Sequence, residues 1–192
     1  MQKYQKQYPN RILYLEHKKN LGLGYSYREA IKYAEKQAFT WFPSDGENEP
    51  IYLVKYLFLL NHLDVIVPFA VNKGVRSLFR RILSTIYLII INLSFGYSFN
   101  YTNGNIIFRL EYLKKINLSA NSFLFQSEAL IKTIKENKNI MFAEVPIWLG
   151  LRKDGKAKAI SWKNLFGVIR DFIKLFFYIH ITMRLRERKL QK

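Results

Sequence analysis

The sequence predicts an α/β fold, a mostly parallel sheet flanked by helices, in one continuous domain with a helical tail. Three observations carry that expectation. Short apolar runs recur at Ile12–Leu15, Phe39–Pro43, Asp64–Val71 and Met141–Pro146; stretches with helical spacing alternate with them; and Gly, Asn or Pro marks the junctions. At 192 residues the chain can bury one sizeable core and is short for two.

Taken in order, Ile12–Leu15 follows Pro9-Asn10 and reads as a buried strand. Asn20-Leu21-Gly22-Leu23-Gly24 is a loop, and Tyr25–Gln37 then places Ala30, Ile31 and Ala34 at helical spacing. Phe39–Pro43 is a second strand, a helix runs from Pro50 or Ile51 to Leu60, and Asp64–Val71 is a third strand. Between Arg81 and Asn100 lie eighteen uncharged residues, the minimum for a membrane span. Ser84, Thr85, Asn92, Ser94, Gly96 and Ser98 dilute them, so a buried or membrane-touching helix is expected over Ile82–Phe99 rather than a crossing one. Thr102–Asn105 is a turn, Ile106–Phe108 a short strand, Phe125–Glu136 a helix and Met141–Pro146 the last strand. From Trp162 to Arg186 no proline interrupts. Helical spacing puts Leu165, Phe166, Ile169, Phe172, Ile173 and Phe176 on one face and Lys163, Arg170, Asp171, Lys174 and Tyr178 on the other. A basic amphipathic helix of this kind either lies in a membrane interface or packs on the core with a solvated basic end.

Charge narrows the partners. Thirty-one Lys and Arg against fourteen Asp and Glu leave +17, and residues 151–192 hold twelve basic and three acidic side chains. Such a balance seeks polyanions. No RNA- or DNA-binding motif is present and the basic residues adjoin an apolar face, so an anionic membrane surface and phosphorylated ligands are expected, not nucleic acid. The absence of cysteine excludes disulfides and thiolate metal sites, and His17, His62 and His180 lack metal-ligand spacing. The start, MQKYQKQYPNR, has no signal-peptide core.

Five segments could carry chemistry. Ser44-Asp45-Gly46-Glu47-Asn48-Glu49 closes an apolar strand, where α/β proteins bind ligands. Asp45 and Glu47 could share a hard divalent cation that bridges phosphate oxygens, or the turn could simply cap the next helix. In the Asn20-Leu21-Gly22-Leu23-Gly24 loop the glycines permit close backbone approach, either to a phosphate or to a neighbouring segment. Arg76, Arg80 and Arg81 are placed to grip phosphates or to begin a solvated helix. Arg152-Lys153-Asp154-Gly155-Lys156-Ala157-Lys158 is a basic loop with the same two readings. Glu128, beside Phe125, is either a partly buried base or a paired glutamate.

In their order these segments resemble the family 2 glycosyltransferases, in particular the dolichol-phosphate mannose synthases and polyprenyl-phosphate sugar transferases. NLGLGYSYREAIKYA (20–34) is similar to that family's glycine loop and helix, and FTWFPSDGENEP (39–50) to its metal-binding strand end. YTNGNIIFR (101–109) is similar to the turn near the acceptor, FLFQSEALIKTI (123–134) to the Glu-containing helix, and residues 144–165 to the Val-Pro-Ile and basic segment. The resemblance implies a GT-A fold with an incomplete Rossmann-like nucleotide-binding half, a nucleotide-sugar donor, Mg2+ or Mn2+, and a polyprenyl phosphate acceptor at the cytoplasmic face of a membrane. It implies Asp45 and Glu47 as metal ligands and Asp45, Arg76 and Glu128 as catalytic groups. It implies phosphate or donor contacts from Asn20, Gly22, Gly24, Arg76, Asn103, Gly104, Arg152, Lys156 and Lys158.

The sequence departs from the family pattern at Pro43, where the first metal-motif aspartate would stand, at Asn100 and at Ala157. Relatives begin with a further strand and helix, about 50 to 60 residues, so residues 1–161 are expected to be an N-terminally truncated catalytic domain and 162–192 a membrane-surface helix. An inactive or regulatory paralogue that binds ligand without catalysis is the alternative.

Overall fold

The computed structural model of the protein describes residues 2–151, 162–185 and 188. Along the chain run α1 (Gln2–Gln7), α2 (Leu23–Tyr33), β1 (Ala38–Phe39), α3 (Ile51–Val54), β2 (Val65–Ala70), α4 (Leu78–Phe95), β3 (Ile107–Arg109), α5 (Leu110–Lys115), α6 (Phe125–Glu136), β4 (Phe142–Ile147) and α7 (Trp162–Phe177). A π-helical turn, Tyr178–Met183, extends α7.

The four strands form one sheet in the order β1-β3-β2-β4. β2 pairs with β4 in parallel, from Val65 opposite Phe142 to Ala70 opposite Ile147. β3 is antiparallel to both β1 and β2. Three strands therefore point the same way and one is reversed between them, so the sheet is mixed. That reversal has a functional consequence: the loop before β3 shares an edge with the loops that follow β1, β2 and β4.

Both faces of the sheet are covered, which is why β2 reads as a continuous apolar run instead of alternating with polar residues. Val65, Val67 and Phe108 point into one apolar cluster with Ile91, Phe95, Leu124, Leu130 and Leu175. Ile66 and Ile107, one residue out of phase, point into the other with Leu53, Val145 and Ile147. Pro68 is tolerated inside β2 because β3 pairs only with Val65 and Ile66. Gly104 takes up the space beside it, where a Cβ would lie 3.1 Å from the Pro68 carbonyl oxygen.

Most expected elements are present with shifted bounds, and α6 spans the predicted residues. Ile12–Leu15 differs: it is not in the sheet, and Leu13 is 57% exposed. A strand needs a neighbouring backbone, and β1, which lies at the sheet edge, pairs only with β3. The strand expected over Phe39–Pro43 shortens to Ala38–Phe39. Beyond it Thr40 Oγ1 donates to Asn105 O at 3.2 Å and Asn105 Nδ2 donates to Trp41 O, so side chains take over from the ladder. On α7, Asp171 and Tyr178 face the domain rather than solvent; Asp171 is buried.

The loop Leu118–Ser122 is held by three helices. Glu128 of α6 accepts from Ser119 N at 3.0 Å, Ser119 Oγ at 2.9 Å, Ala120 N at 2.8 Å and Lys132 Nζ at 2.8 Å. Asp171 of α7 accepts from Asn121 N and Ser122 N, each at 3.0 Å. Arg28 of α2 donates to Ala120 O and Asn121 Oδ1, each at 2.6 Å.

Glu128→Ala should lower unfolding free energy by about 3–5 kcal/mol, because it strands a buried Lys132 and two backbone N–H groups; urea denaturation measures this. Asp171 supplies a pH test. Burial alone would raise its pKa, but hydrogen bonds from Ser122 and Arg170, with the Arg170 charge, hold it below the ordinary carboxylate value. Its contribution to stability is therefore complete above the ordinary range near pH 4 and is lost as pH falls through the depressed folded value. Asp171→Asn should remove that part of the acid-induced loss of stability, read from denaturation curves between neutral and acidic pH.

Candidate functional site

At the C-terminal edge of the parallel strands, three loops and the segment before β3 converge. Val71 N donates to Ile147 O at 3.1 Å, extending the β2–β4 pairing, and Asn72 exchanges two 2.8 Å hydrogen bonds with the backbone of Leu149. Gly150 N donates to Glu47 O at 2.9 Å. A Cβ on Gly150 would stand 3.0 Å from Gly46 O, so the acidic turn and the chain after β4 lie backbone to backbone.

Within the turn Asp45 Oδ1 accepts from Glu47 N at 3.1 Å, and Gly46 takes a φ of +76°, which favours glycine. Glu47 is 3% exposed and lies between two guanidinium groups. Its Oε1 accepts from Arg76 Nε at 2.6 Å and its Oε2 from Arg80 Nη2 at 3.0 Å. Arg76 Nη1 also donates to Tyr101 Oη at 3.2 Å and its guanidinium lies 5.6 Å from that ring's centroid. Burial alone would lower the Arg76 pKa; Tyr101 and Glu47 outweigh it and raise the value, so Arg76 keeps its charge.

Beside this cluster is a cleft of about 310 Å³. Lys73, Arg76 and Arg81 supply its charge, while Leu78, Ile82 and Ile86 supply an apolar wall from the start of α4. Ser77 caps that helix by accepting from Arg80 N.

Of the residues expected from sequence, Asp45, Glu47 and Arg76 are brought to this edge, together with Asn103 and Gly104 before β3. Asn103 Oδ1 is buried and accepts no hydrogen bond from the described residues. The glycine loop does different work. Asn20 Oδ1 accepts from Gly22 N at 2.9 Å, and Gly22 has a φ of +91°. A Cβ on Gly24 would come within 2.0 Å of Ala120 O, so here the close approach is to the Leu118–Ser122 loop. Glu128 is fully engaged with that loop and Lys132, as a positioning residue. Arg152, Lys156 and Lys158 lie outside the described residues. Sequence reasoning missed Tyr101 and Asn72. The only signal for Tyr101 is its place directly before the Thr102-Asn103-Gly104 turn, and a lone asparagine after a strand gives none.

The donor set can be tested against Mg2+ or Mn2+. Among the described residues no three His, Cys, Asp or Glu side chains cluster. Mg2+ is commonly held by one or two carboxylates with substrate phosphates and water completing the shell, and Asp45, in the turn beyond β1, fits that role. Glu47 has both oxygens committed to arginines, so it fits better as the group that orients Arg76 and Arg80. Glu47→Ala would leave a buried guanidinium unpaired and should cost about 3–5 kcal/mol of stability, measured by chemical denaturation; Glu47→Gln, which still accepts from one arginine, should cost less.

Comparison with known proteins fits this geometry. No curated protein sequence matches the chain. Among solved structures, glucosyl-3-phosphoglycerate synthase from Mycobacterium tuberculosis in complex with Mg2+ and uridine diphosphate aligns over 90% of this chain and 57% of that one, at 14% identity and a TM-score of 0.58. The same enzyme in complex with Mn2+, UDP-glucose and phosphoglyceric acid aligns over 90% and 57%, at 15% identity and a TM-score of 0.56. These identities establish the fold, and the chain spans less than two thirds of the length of those proteins. The profile of glycosyl transferase family 2 matches residues 1–125; the chain therefore belongs to that family and has its GT-A fold.

Proposed function

We propose that this chain is the catalytic part of a glycosyltransferase that moves a sugar from a nucleotide-sugar donor to a polyprenyl phosphate at the cytoplasmic face of a membrane, in the manner of the dolichol-phosphate mannose synthase branch. One observation carries the reading: the same cleft is lined by the cations Lys73, Arg76 and Arg81 and by an apolar wall of Leu78, Ile82 and Ile86 along α4. A phosphate on a prenyl chain needs both. The M. tuberculosis enzyme in the structures above has an acceptor carrying phosphate without a lipid; the apolar wall is what favours a lipid here.

The residues act as follows. Glu47 holds Arg76 in a fixed orientation at the cleft, with Arg80 on its other carboxylate oxygen, so the Arg76 guanidinium meets incoming phosphate without reorganising. Asp45 would hold a divalent ion, which supplies neutralising charge to the diphosphate when bound. An acceptor phosphate oxygen attacks the anomeric carbon, the bond from that carbon to the donor diphosphate breaks, and the nucleoside diphosphate leaves with the electron pair. The attacking oxygen is already anionic, so no general base is required.

α7 supports the membrane location. Leu165, Phe166, Ile169, Ile173 and Phe177 are exposed, Phe166 by 73%, and Arg170, Lys174, Arg184 and Arg188 are exposed with them. An open apolar face rimmed by cations suits an anionic bilayer.

Transfer of radiolabel from UDP-glucose, GDP-mannose and related donors to undecaprenyl phosphate, read as butanol-extractable counts, tests the reaction. Label should appear only with Mg2+ or Mn2+ present. Arg76→Lys, which keeps charge but loses the bidentate fork, should reduce transfer about tenfold or more. Asp45→Asn should weaken Mn2+-dependent UDP binding about tenfold in calorimetry. Metal-independent UDP binding with no transfer to any acceptor would instead favour a ligand-binding paralogue.

A further inference from the structure

The open face of α4 has no role in the reaction above. Apart from Leu78, Ile82 and Ile86, which wall the cleft, five large apolar side chains on it are exposed: Phe79, Leu83, Ile89, Ile90 and Leu93, the last by 80%. By length and composition α4 could cross a membrane. Its attachments forbid that. Tyr87 Oη donates to Ser127 Oγ at 2.7 Å, and Asn92 bonds both ways with the Phe99 backbone at 2.9 and 3.2 Å. Ile91 and Phe95 are buried in the same cluster as the sheet residues Val65 and Phe108. A helix of 18 residues is about 27 Å long, so a crossing would carry its C-terminal end to the far leaflet, away from the domain that grips it.

We infer that α4 lies flat in the bilayer surface as a second, non-crossing membrane element, packed against α7, and that the cleft at its N-terminal end opens into lipid. The inference rests on the membrane location proposed for α7. Two observations select an anionic bilayer over a protein partner. First, the two helices touch: Phe95 packs on Phe172 and stacks on His180, and His180 Nε2–H donates to Ser94 O at 2.7 Å. Their open faces thus belong to one joined pair. Second, among the described residues the exposed charge is of one sign. α4 contains no acidic residue, Asp171 of α7 is buried, and the exposed charged side chains described on the pair and its extension are Arg81, Arg170, Lys174, Arg184 and Arg188. A second copy would bring the same cations against these, whereas anionic headgroups neutralise them.

Co-sedimentation of the full chain with vesicles of phosphatidylcholine and phosphatidylglycerol tests this. Ile89→Glu/Leu93→Glu, away from the cleft, should weaken vesicle binding at least about tenfold, while Mn2+-dependent UDP binding and thermal unfolding stay as in the parent. Vesicle binding equal to the parent's would overturn the role of α4 alone. No vesicle binding by the parent would overturn the membrane location as well, and UDP binding measured separately keeps the two failures distinct. Loss of self-association in sedimentation velocity, with vesicle binding intact, would assign the face to a second copy and overturn the inference. The chain has no cysteine, so bimane can be placed at Phe79→Cys and at Leu93→Cys. Equal quenching of both by shallow nitroxide lipids is expected for a flat helix; depths differing by most of a leaflet would mean crossing and overturn it.

Discussion

The Leu118–Ser122 loop is the point on which α2, α6 and α7 all depend, and its hold is electrostatic. Two buried carboxylates, Glu128 and Asp171, accept from its N–H groups, and Arg28 donates to its carbonyl and amide oxygens. A loop with this much buried backbone is costly unless every polar group is satisfied, and here the partners come from three separate helices. Gly24 completes the arrangement by letting α2 approach Ala120 O more closely than any side chain would allow. Through Asp171 the same loop fixes which side of α7 faces the domain, and so which side is left exposed.

A similar economy governs the site edge. Glu47 is the carboxylate in a cluster of cations, and its contribution is orientation: it fixes Arg76 and Arg80 at the edge of the sheet. The reversed strand β3 brings Asn103, Gly104 and Tyr101 to the same edge as the acidic turn. Without that reversal the turn before β3 would lie at the opposite edge of the sheet. Fold topology therefore assembles the site from segments that are up to about 100 residues apart, as α/β proteins do at the ends of their strands.

What joins the two regions is α4. It begins beside the arginines that Glu47 holds, forms the apolar wall of the cleft, and ends against α7 at Phe95. The lipid acceptor proposed above would need a graded boundary between water and hydrocarbon, and a helix lying along the domain surface would provide one.

By itself the sequence determined the α/β class, the span of α6, the glycine loop, the acidic turn at a strand end and the amphipathic character of α7. Each is a local pattern, set by periodicity, backbone freedom or charge within a dozen residues. It did not determine partners, because partners are distant in the chain. Glu47 reads as a metal ligand or part of a capping turn, and its partners Arg76 and Arg80, 29 and 33 residues on, come only with folding. Glu128 is open between a base and a paired glutamate, and Asp171 reads as part of a solvated face; the structure makes both buried acceptors. Ile12–Leu15 has the composition of a strand, but an apolar run becomes a strand only when another backbone is there to bond it, and that is decided by the tertiary structure.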